Sequence, residues 1–283
     1  MNITRWWPWY EKIVATLGYN TDDDRKAALL LRELLSGRTS PLTELQERVV
    51  GKNVIVFGAG PSLEKNLSML LTACLEDQFT LIVADGAATA FIQESVTPDV
   101  IVTDLDGRMD DIIKAGDGGS AIVIHGHGDN MDAMKEWIPK ITENPRTRVF
   151  GTTQVEPYPP TVHNFGGFTD GDRAAFLAEE MKAKTIILAG MDLGTTVGKF
   201  SKATPSSFPS QEEQANWLLN KKLKLVFAKE LLEWLATWSR VDGGLFNATG
   251  SKGETIKGFS QIQLKDLIQI ATSSKKRTPA PNA

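Results

Sequence analysis

Between residues 53 and 190 this chain repeats one alternation: a short apolar run rich in β-branched residues, then a stretch with helical spacing. The runs fall at 54–57, 81–84, 100–102, 121–124, 149–150 and 185–189, with helical segments at 63–75, 87–94, 131–138 and 172–183. Apolar runs without polar alternation suit strands covered on both faces. Strand and helix taking turns at this spacing predict an α/β fold, a doubly wound, mainly parallel, Rossmann-like sheet. Such sheets bind ligands beyond the carboxyl ends of their strands. The residues after each run are therefore the place to look. They are Gly58-Ala59-Gly60-Pro61-Ser62, Asp85-Gly86, Asp104-Leu105-Asp106-Gly107, His125-Gly126-His127-Gly128-Asp129-Asn130 and Gly190-Met191-Asp192.

Three zones are expected: a helical N-terminal segment at 1–48, an α/β catalytic domain at 49–200, and a helical C-terminal segment at 201–283. The first opens with Trp6, Trp7 and Trp9, read as anchors for a flanking helix, and has an amphipathic run at 25–35. The last holds a long helical pattern at 211–238, irregular chain, a short helix at 264–270 and a Pro-rich tail read as disordered. A net charge of −4 with 23% charged residues describes an ordinary soluble protein and argues against a nucleic-acid partner. No stretch is long and apolar enough for a membrane span, and no signal-peptide pattern opens the chain. The lone cysteine, Cys74, sits in a Leu-rich helical pattern and is expected in the core. It forms no internal disulfide, which fits a cytoplasmic location. A homo-oligomer is left open.

The acids after the third run carry the most chemistry. On an extended chain Asp104 and Asp106 share a face, and two close carboxylates need a cation, a shared proton or generous solvation. Mg²⁺ is the economical cation, because it takes one or two carboxylates plus substrate phosphate oxygens. A solvated Asp turn is the plain alternative. Gly58 and Gly60, between a strand and a helix, suit a phosphate loop, although a tight turn alone also calls for glycine. The dinucleotide pattern would need a third glycine where Leu63 stands, which weakens a nicotinamide reading despite Asp85 at the ribose-binding position. No GxxxxGK[ST] is present, so a P-loop kinase is excluded. The segment from His125 to Asp129 resembles the H-x-H-x-D-H signature of metallo-β-lactamases. Asn130 replaces its last histidine and only His163 remains, so His127 and Asp129 are read instead as groups near phosphates or a second metal position. Asp170 and Asp172 open a helix, one of them as its N-cap, and Arg173 meets either a phosphate or a surface carboxylate.

Taken in order, these motifs resemble a family. Ala84-Asp85-Gly86-Ala87 and Pro98-Asp99 through Asp106 are similar to motifs of thiamine pyrophosphokinases, with Thr103 and Gly107 as departures. The match to archaeal MptE-like 6-hydroxymethylpterin pyrophosphokinases is closer. It runs through the loops at 58–63, 102–107 and 125–130 and on through 166–174 and Gly190-Met191-Asp192. The resemblance implies Mg²⁺-dependent transfer of pyrophosphate from ATP to 6-hydroxymethyl-7,8-dihydropterin, with AMP leaving. It implies metal ligands Asp104, Asp106 and Asp129, with His127 and Asp129 near the reacting groups. Gly58, Gly60, Ser62 and Arg173 would bind nucleotide, and Asp85, Asn130 and Asp172 would bind pterin or ribose. Asn247-Ala248-Thr249 and Ile256-Lys257-Gly258 are similar to the tail of motility-associated glycosyltransferase-like proteins. A nucleotide-sugar glycosyltransferase and a nucleotide-binding module without turnover are the alternatives.

Overall fold

The computed structural model describes residues 2–194, 198–201, 210–250 and 254–267. Six strands precede residue 164: β1 (Asn53–Phe57), β2 (Thr80–Ala84), β3 (Val100–Thr103), β4 (Ala121–Gly126), β5 (Arg148–Thr153) and β6 (Val162–His163). Three more follow, β7 (Thr185–Ala189), β8 (Leu245–Asn247) and β9 (Ser260–Gln261). They form one sheet in the order β6-β5-β4-β3-β2-β1-β7-β8-β9, with every strand pairing parallel. From β1 the chain steps outward one way as far as β6. It then returns to place β7 on the other side of β1. The reversal makes the carboxyl ends of β1 and β7 the switch point of the topology, near which ligands of such sheets bind.

The helices are α1 (Ile3–Leu17), α2 (Thr21–Leu34), α3 (Leu42–Val49), α4 (Leu63–Thr72), α5 (Asp85–Gln93), α6 (Met109–Asp117), α7 (Met131–Ile141), α8 (Asp170–Glu180) and α9 (Gln211–Ala236). Strand alternation sends Val54 and Val56 into one core with residues of α1, α3, α8 and α9. Ile55 and Phe57 enter a second core with residues of α4, α5, α6 and α7. The sheet is thus covered on both faces, as its unbroken apolar runs predict.

Helix α1 buries Trp6, Tyr10 and Ile13, a stripe at spacings of four and three. Asn2 caps its first turn and Gly18, at φ +71°, ends it. The Trp6 Nε1 donates to the Gln154 carbonyl at 2.7 Å, and Trp9 packs on Trp234 with ring centroids 5.7 Å apart. The tryptophans anchor the flanking helix, as expected. Helix α9 divides in two. Phe227, Ala228, Leu231, Leu232 and Leu235 are buried, whereas Leu218 and Leu219 further up are 48% and 54% exposed.

Several expectations change. Cys74 is exposed, because α4 ends at Thr72 and Cys74 turns left-handed at φ +50°, off the apolar stripe. Helix α6 and strand β6 fall where no element was read; nine and two residues are short windows for a periodic pattern. The irregular chain after α9 instead supplies β8 and β9, so the sheet runs past residue 200. The helix expected at 264–270 shows a single 3₁₀ turn at Leu264–Asp266; 268–270 and the basic tail lie outside the described residues.

The two halves of α9 should respond differently to truncation. Leu231→Ala is expected to cost about 2–5 kcal/mol in urea unfolding. Leu219→Ala should stay within about 0.5 kcal/mol. Equal losses would show that the upper half is packed as tightly as the lower.

Candidate active site

Strand β3 ends at Thr103, and the chain beyond it does not continue extended. Leu105 has φ +68°, a conformation rare for a branched side chain. Its N–H donates to Thr103 Oγ1 at 2.8 Å and its side chain is buried, which together hold the turn. Asp104 and Asp106 therefore meet across a left-handed turn, and not by the strand alternation that the sequence suggests. Asp85, the first residue of α5, joins them from the end of β2. Its Oδ2 accepts from Thr103 Oγ1 at 2.6 Å and from the Gly107 N–H at 3.2 Å. A Cβ on Gly107 would overlap Asp85 Oδ1, so glycine is required there.

One oxygen from each of Asp85, Asp104 and Asp106 lies within 4.8 Å of the others. Asp85 Oδ1 and Asp104 Oδ1 are buried without a hydrogen-bond partner. Burial, then the charges of Asp104 and Asp106, push the Asp85 carboxyl up to about 7, against the Thr103 and Gly107 hydrogen bonds. Burial acts the same way on Asp104. Its hydrogen bond and charge interaction with His127, with the Arg173 charge, outweigh that and hold it below the usual carboxylate range. An all-oxygen set with orphaned buried lone pairs suits a hard divalent cation such as Mg²⁺. Asp129 was expected in this set but stands exposed at the rim, so Asp85 takes the third place.

The loop after β4 supports the cluster from one side. His127 Nε2 lies 3.4 Å from Asp104 Oδ2, and its Nδ1 accepts from the Asp129 N–H at 3.3 Å. That pairing assigns the proton to Nε2, facing Asp104. The Asn130 Nδ2 donates to the carbonyls of Asp104 and His125, each at 2.7 Å, while its Oδ1 accepts from the His127 N–H at 3.0 Å. Asn130 is thus a brace between the ends of β3 and β4, with its side chain spent inside the protein. The Gly128 N–H donates to Asp24 Oδ1 at 2.8 Å; Tyr10 Oη and Gln154 Nε2 both donate to Asp24 Oδ2 at 2.7 Å. Asp24 and Gln154 line the cleft, and neither was legible beforehand. In the sequence Asp24 is one of three acids in a helix's first turn, a pattern that capping explains.

The glycine loop after β1 packs against the loop after β7. The N–H groups of Gly58 and Gly60 donate to the carbonyls of Ala189 and Gly190, at 2.9 and 2.8 Å. Ser62 donates to Asp192 Oδ2 through both N–H and Oγ, at 3.0 and 2.9 Å. A Cβ on Gly58 would crowd Met191 Sδ, and one on Gly60 would overlap Asp192 Oδ2. Close approach of the two loops explains these glycines. Gly58 and Gly60 still line the cleft, whereas the Ser62 side chain has its partners within the protein.

At α8 the N-cap is Thr169, not either aspartate. Asp172 at the third helical position accepts from the N–H groups of Phe168 and Thr169 and from the Thr169 hydroxyl. Asp172 is wholly buried and capping is its role. Asp170 and Arg173 do face the cleft, with Arg173 Nη1 3.3 Å from Asp170 Oδ1 and Nη2 donating to Gln154 Oε1 at 3.4 Å. Burial, then the Asp104 charge, raises Asp170 well above the ordinary carboxylate range, although Arg173 opposes this. The cleft has a volume of ≈ 1320 Å³. Its wall includes Trp217, Lys221, Lys222 and Lys224 of α9, which the sequence reading placed outside the site.

The family model for 6-hydroxymethylpterin diphosphokinase MptE-like proteins matches residues 29–198. The chain belongs to this family. A 6-hydroxymethyl-7,8-dihydropterin pyrophosphokinase of Pyrococcus furiosus is 45% identical over 236 residues, covering 83% of this chain and 94% of the relative. Relatives of the same name in Methanothermobacter thermautotrophicus and Methanocaldococcus jannaschii are 40% and 38% identical, again over 83% of this chain and 95% and 96% of theirs. Among solved structures, the MAf glycosyltransferase of Magnetospirillum magneticum AMB-1 superposes with a TM-score of 0.49 at 14% identity, over 80% of this chain and 37% of its own. Within the MptE-like family frame, the carboxylate cluster sits on the segment that the family model spans.

The raised Asp85 pKa has a measurable consequence. Its folded-state value of about 7 exceeds the ordinary 3.8, so folding favours the protonated acid, and stability is lost as pH climbs from about 4 through 7. In metal-chelated protein Asp85→Asn should melt several degrees above wild type at pH 8, the two converging near pH 4. A variant less stable than wild type at pH 8 would contradict the assignment.

Proposed function

We propose that this protein transfers a diphosphoryl group from ATP to 6-hydroxymethyl-7,8-dihydropterin and releases AMP. The reading is carried by the Asp85–Asp104–Asp106 cluster at the ligand-binding edge of the sheet, in a chain 45% identical to a protein named as a pyrophosphokinase of that pterin. The hydroxymethyl oxygen attacks the β-phosphorus, the bond from that phosphorus to the α–β bridging oxygen breaks, and the bridging oxygen leaves with AMP. Phosphoryl chemistry of this kind needs positioning and charge neutralisation more than covalent help.

Asp85, Asp104 and Asp106 would hold Mg²⁺, which supplies neutralisation of phosphate charge. His127 keeps its Nε2 proton toward Asp104 and so maintains that acid ionised and oriented. Its Nδ1 lone pair is taken by the Asp129 N–H, so His127 positions a carboxylate and does not act as the base. The proton of the attacking hydroxyl passes to solvent at the open rim, where Asp129 stands. Arg173, beside Asp170 and Gln154, faces the cleft with a guanidinium suited to phosphate oxygens. Gly58 and Gly60 line the cleft on the nucleotide side, with their N–H groups held by the loop after β7.

An assay of AMP release from ATP and Mg²⁺, with and without the reduced pterin, tests this reading. Pterin-dependent AMP is expected. Asp104→Asn and Asp106→Asn should each lower kcat by roughly 10²-fold or more while leaving the fold intact. ADP as the product, or AMP formed equally without pterin, would refute the proposed reaction.

A further inference from the structure

The first histidine of the His125-Gly126-His127 segment has no part in the reaction above. Strand alternation puts His125 on the same face of β4 as Ala121 and Val123, in the core shared with α8, and it is buried. A small cavity of ≈ 10 Å³, walled by Val123, Phe165 and Leu177, brings His125 together with Arg173. Arg173 also lines the main cleft, so it borders both spaces. His125 Nε2 and Arg173 Nε are buried, and neither has a hydrogen-bond partner among the described residues. Their chemistry is complementary. Thr152 Oγ1 donates its hydrogen to the Ile124 carbonyl at 3.2 Å, so it accepts from His125 Nδ1, also at 3.2 Å, and Nε2 keeps a lone pair. Burial, then the Arg173 and His127 charges, hold the His125 pKa well below the ordinary histidine range, which keeps the ring neutral. Arg173 Nε always carries its hydrogen and is a donor only.

We propose that His125 is a positioning residue: one buried water accepts from Arg173 Nε–H, donates to His125 Nε2, and so fixes the guanidinium that meets the donor phosphates. The assignment rests on the diphosphoryl-transfer reading. A cavity needs about 10–15 Å³ to hold one water, so a space of ≈ 10 Å³ fits a single molecule and no more. One donor and one acceptor meet the minimum of polar partners that a buried water requires. Without the bridge both atoms would forfeit their hydrogen bonds on burial, and the water restores them. The other guanidinium nitrogens already have partners. Nη1 meets Asp170, and Nη2 donates to Gln154 Oε1, while Gln154 Nε2 is itself held by Asp24. Held on three sides, the guanidinium keeps one heading toward the cleft, and little ordering remains when the nucleotide binds.

A high-resolution crystal structure of the full chain, with isothermal titrations of ATP in Mg²⁺ and without pterin, tests this. Ordered water density is expected within hydrogen-bond distance of both His125 Nε2 and Arg173 Nε. His125→Asn keeps a donor for Thr152 but loses the acceptor, and should weaken ATP binding about fivefold or more. His125→Gln places an oxygen near the Nε2 position and should stay within about twofold of wild type. In Arg173→Lys protein, which keeps the charge but lacks the Nε–H, adding His125→Asn should change ATP affinity by less than about twofold. A merely structural role for His125 would give the same loss in both backgrounds, and that result would overturn the proposal. Unchanged ATP affinity in His125→Asn would overturn it too, as would a dry cavity in the wild-type crystal, which decides the matter even if the variants fail to fold. Because no pterin is present, a failed AMP-release assay refutes the acceptor while leaving this result standing, and the converse also holds.

Discussion

Three carboxylates held within 4.8 Å of one another repel, and much of the surrounding chain is arranged to hold them there. Asp85 comes from β2 and α5, Asp104 and Asp106 from the turn after β3, so the parallel pairing of β2 with β3 sets their approach. Thr103 and Gly107 bind one Asp85 oxygen, Leu105 accepts a left-handed conformation, and His127 binds Asp104. The residual strain is visible as two orphaned carboxylate oxygens and a raised Asp85 pKa. A cation in the cluster would relieve all of these together.

The terminal helices belong to the same construction. Asp24 of α2 receives hydrogen bonds from Tyr10 of α1, from Gln154 beyond β5 and from the Gly128 backbone beside His127. The N-terminal helices thus fix the loop that orients Asp104. At the other end, β8 pairs with β7, and Thr249 Oγ1 accepts from the Met191 N–H at 3.2 Å. That contact supports the loop whose Asp192 holds Ser62 at the start of α4. No helix among the described residues is long and apolar enough to cross a membrane.

Much of this was readable in the residues. The apolar runs located β1 to β5 and β7, because strands buried on both faces cannot hide their composition. The order of loops along one sheet edge followed from topology alone, and with it Asp85, Asp104, Asp106, His127, Asp129 and Arg173 at the cleft. What failed was the division between residues facing the ligand and residues facing the protein. Asn130, Asp172 and Ser62 are polar and lie within the motifs, yet each is spent inside the protein, on backbone carbonyls, on a helix cap and on the Asp192 carboxylate respectively. A one-dimensional motif does not say which way a side chain points. Cys74 left the core because of a single left-handed residue, and β8 and β9 are too short for periodicity to reveal. The α9 lysines were hidden because charged residues on a long helix read as a solvated face.

The most direct test of the central claim is an electron paramagnetic resonance titration of the full chain with Mn²⁺ as a probe for the divalent cation. The account predicts a saturable Mn²⁺ site that Asp85→Ala/Asp104→Ala abolishes and that Asp129→Ala leaves in place. Undiminished Mn²⁺ binding in the double variant, or loss of the site in Asp129→Ala alone, would contradict the assignment of the Asp85, Asp104 and Asp106 cluster as the metal-holding centre.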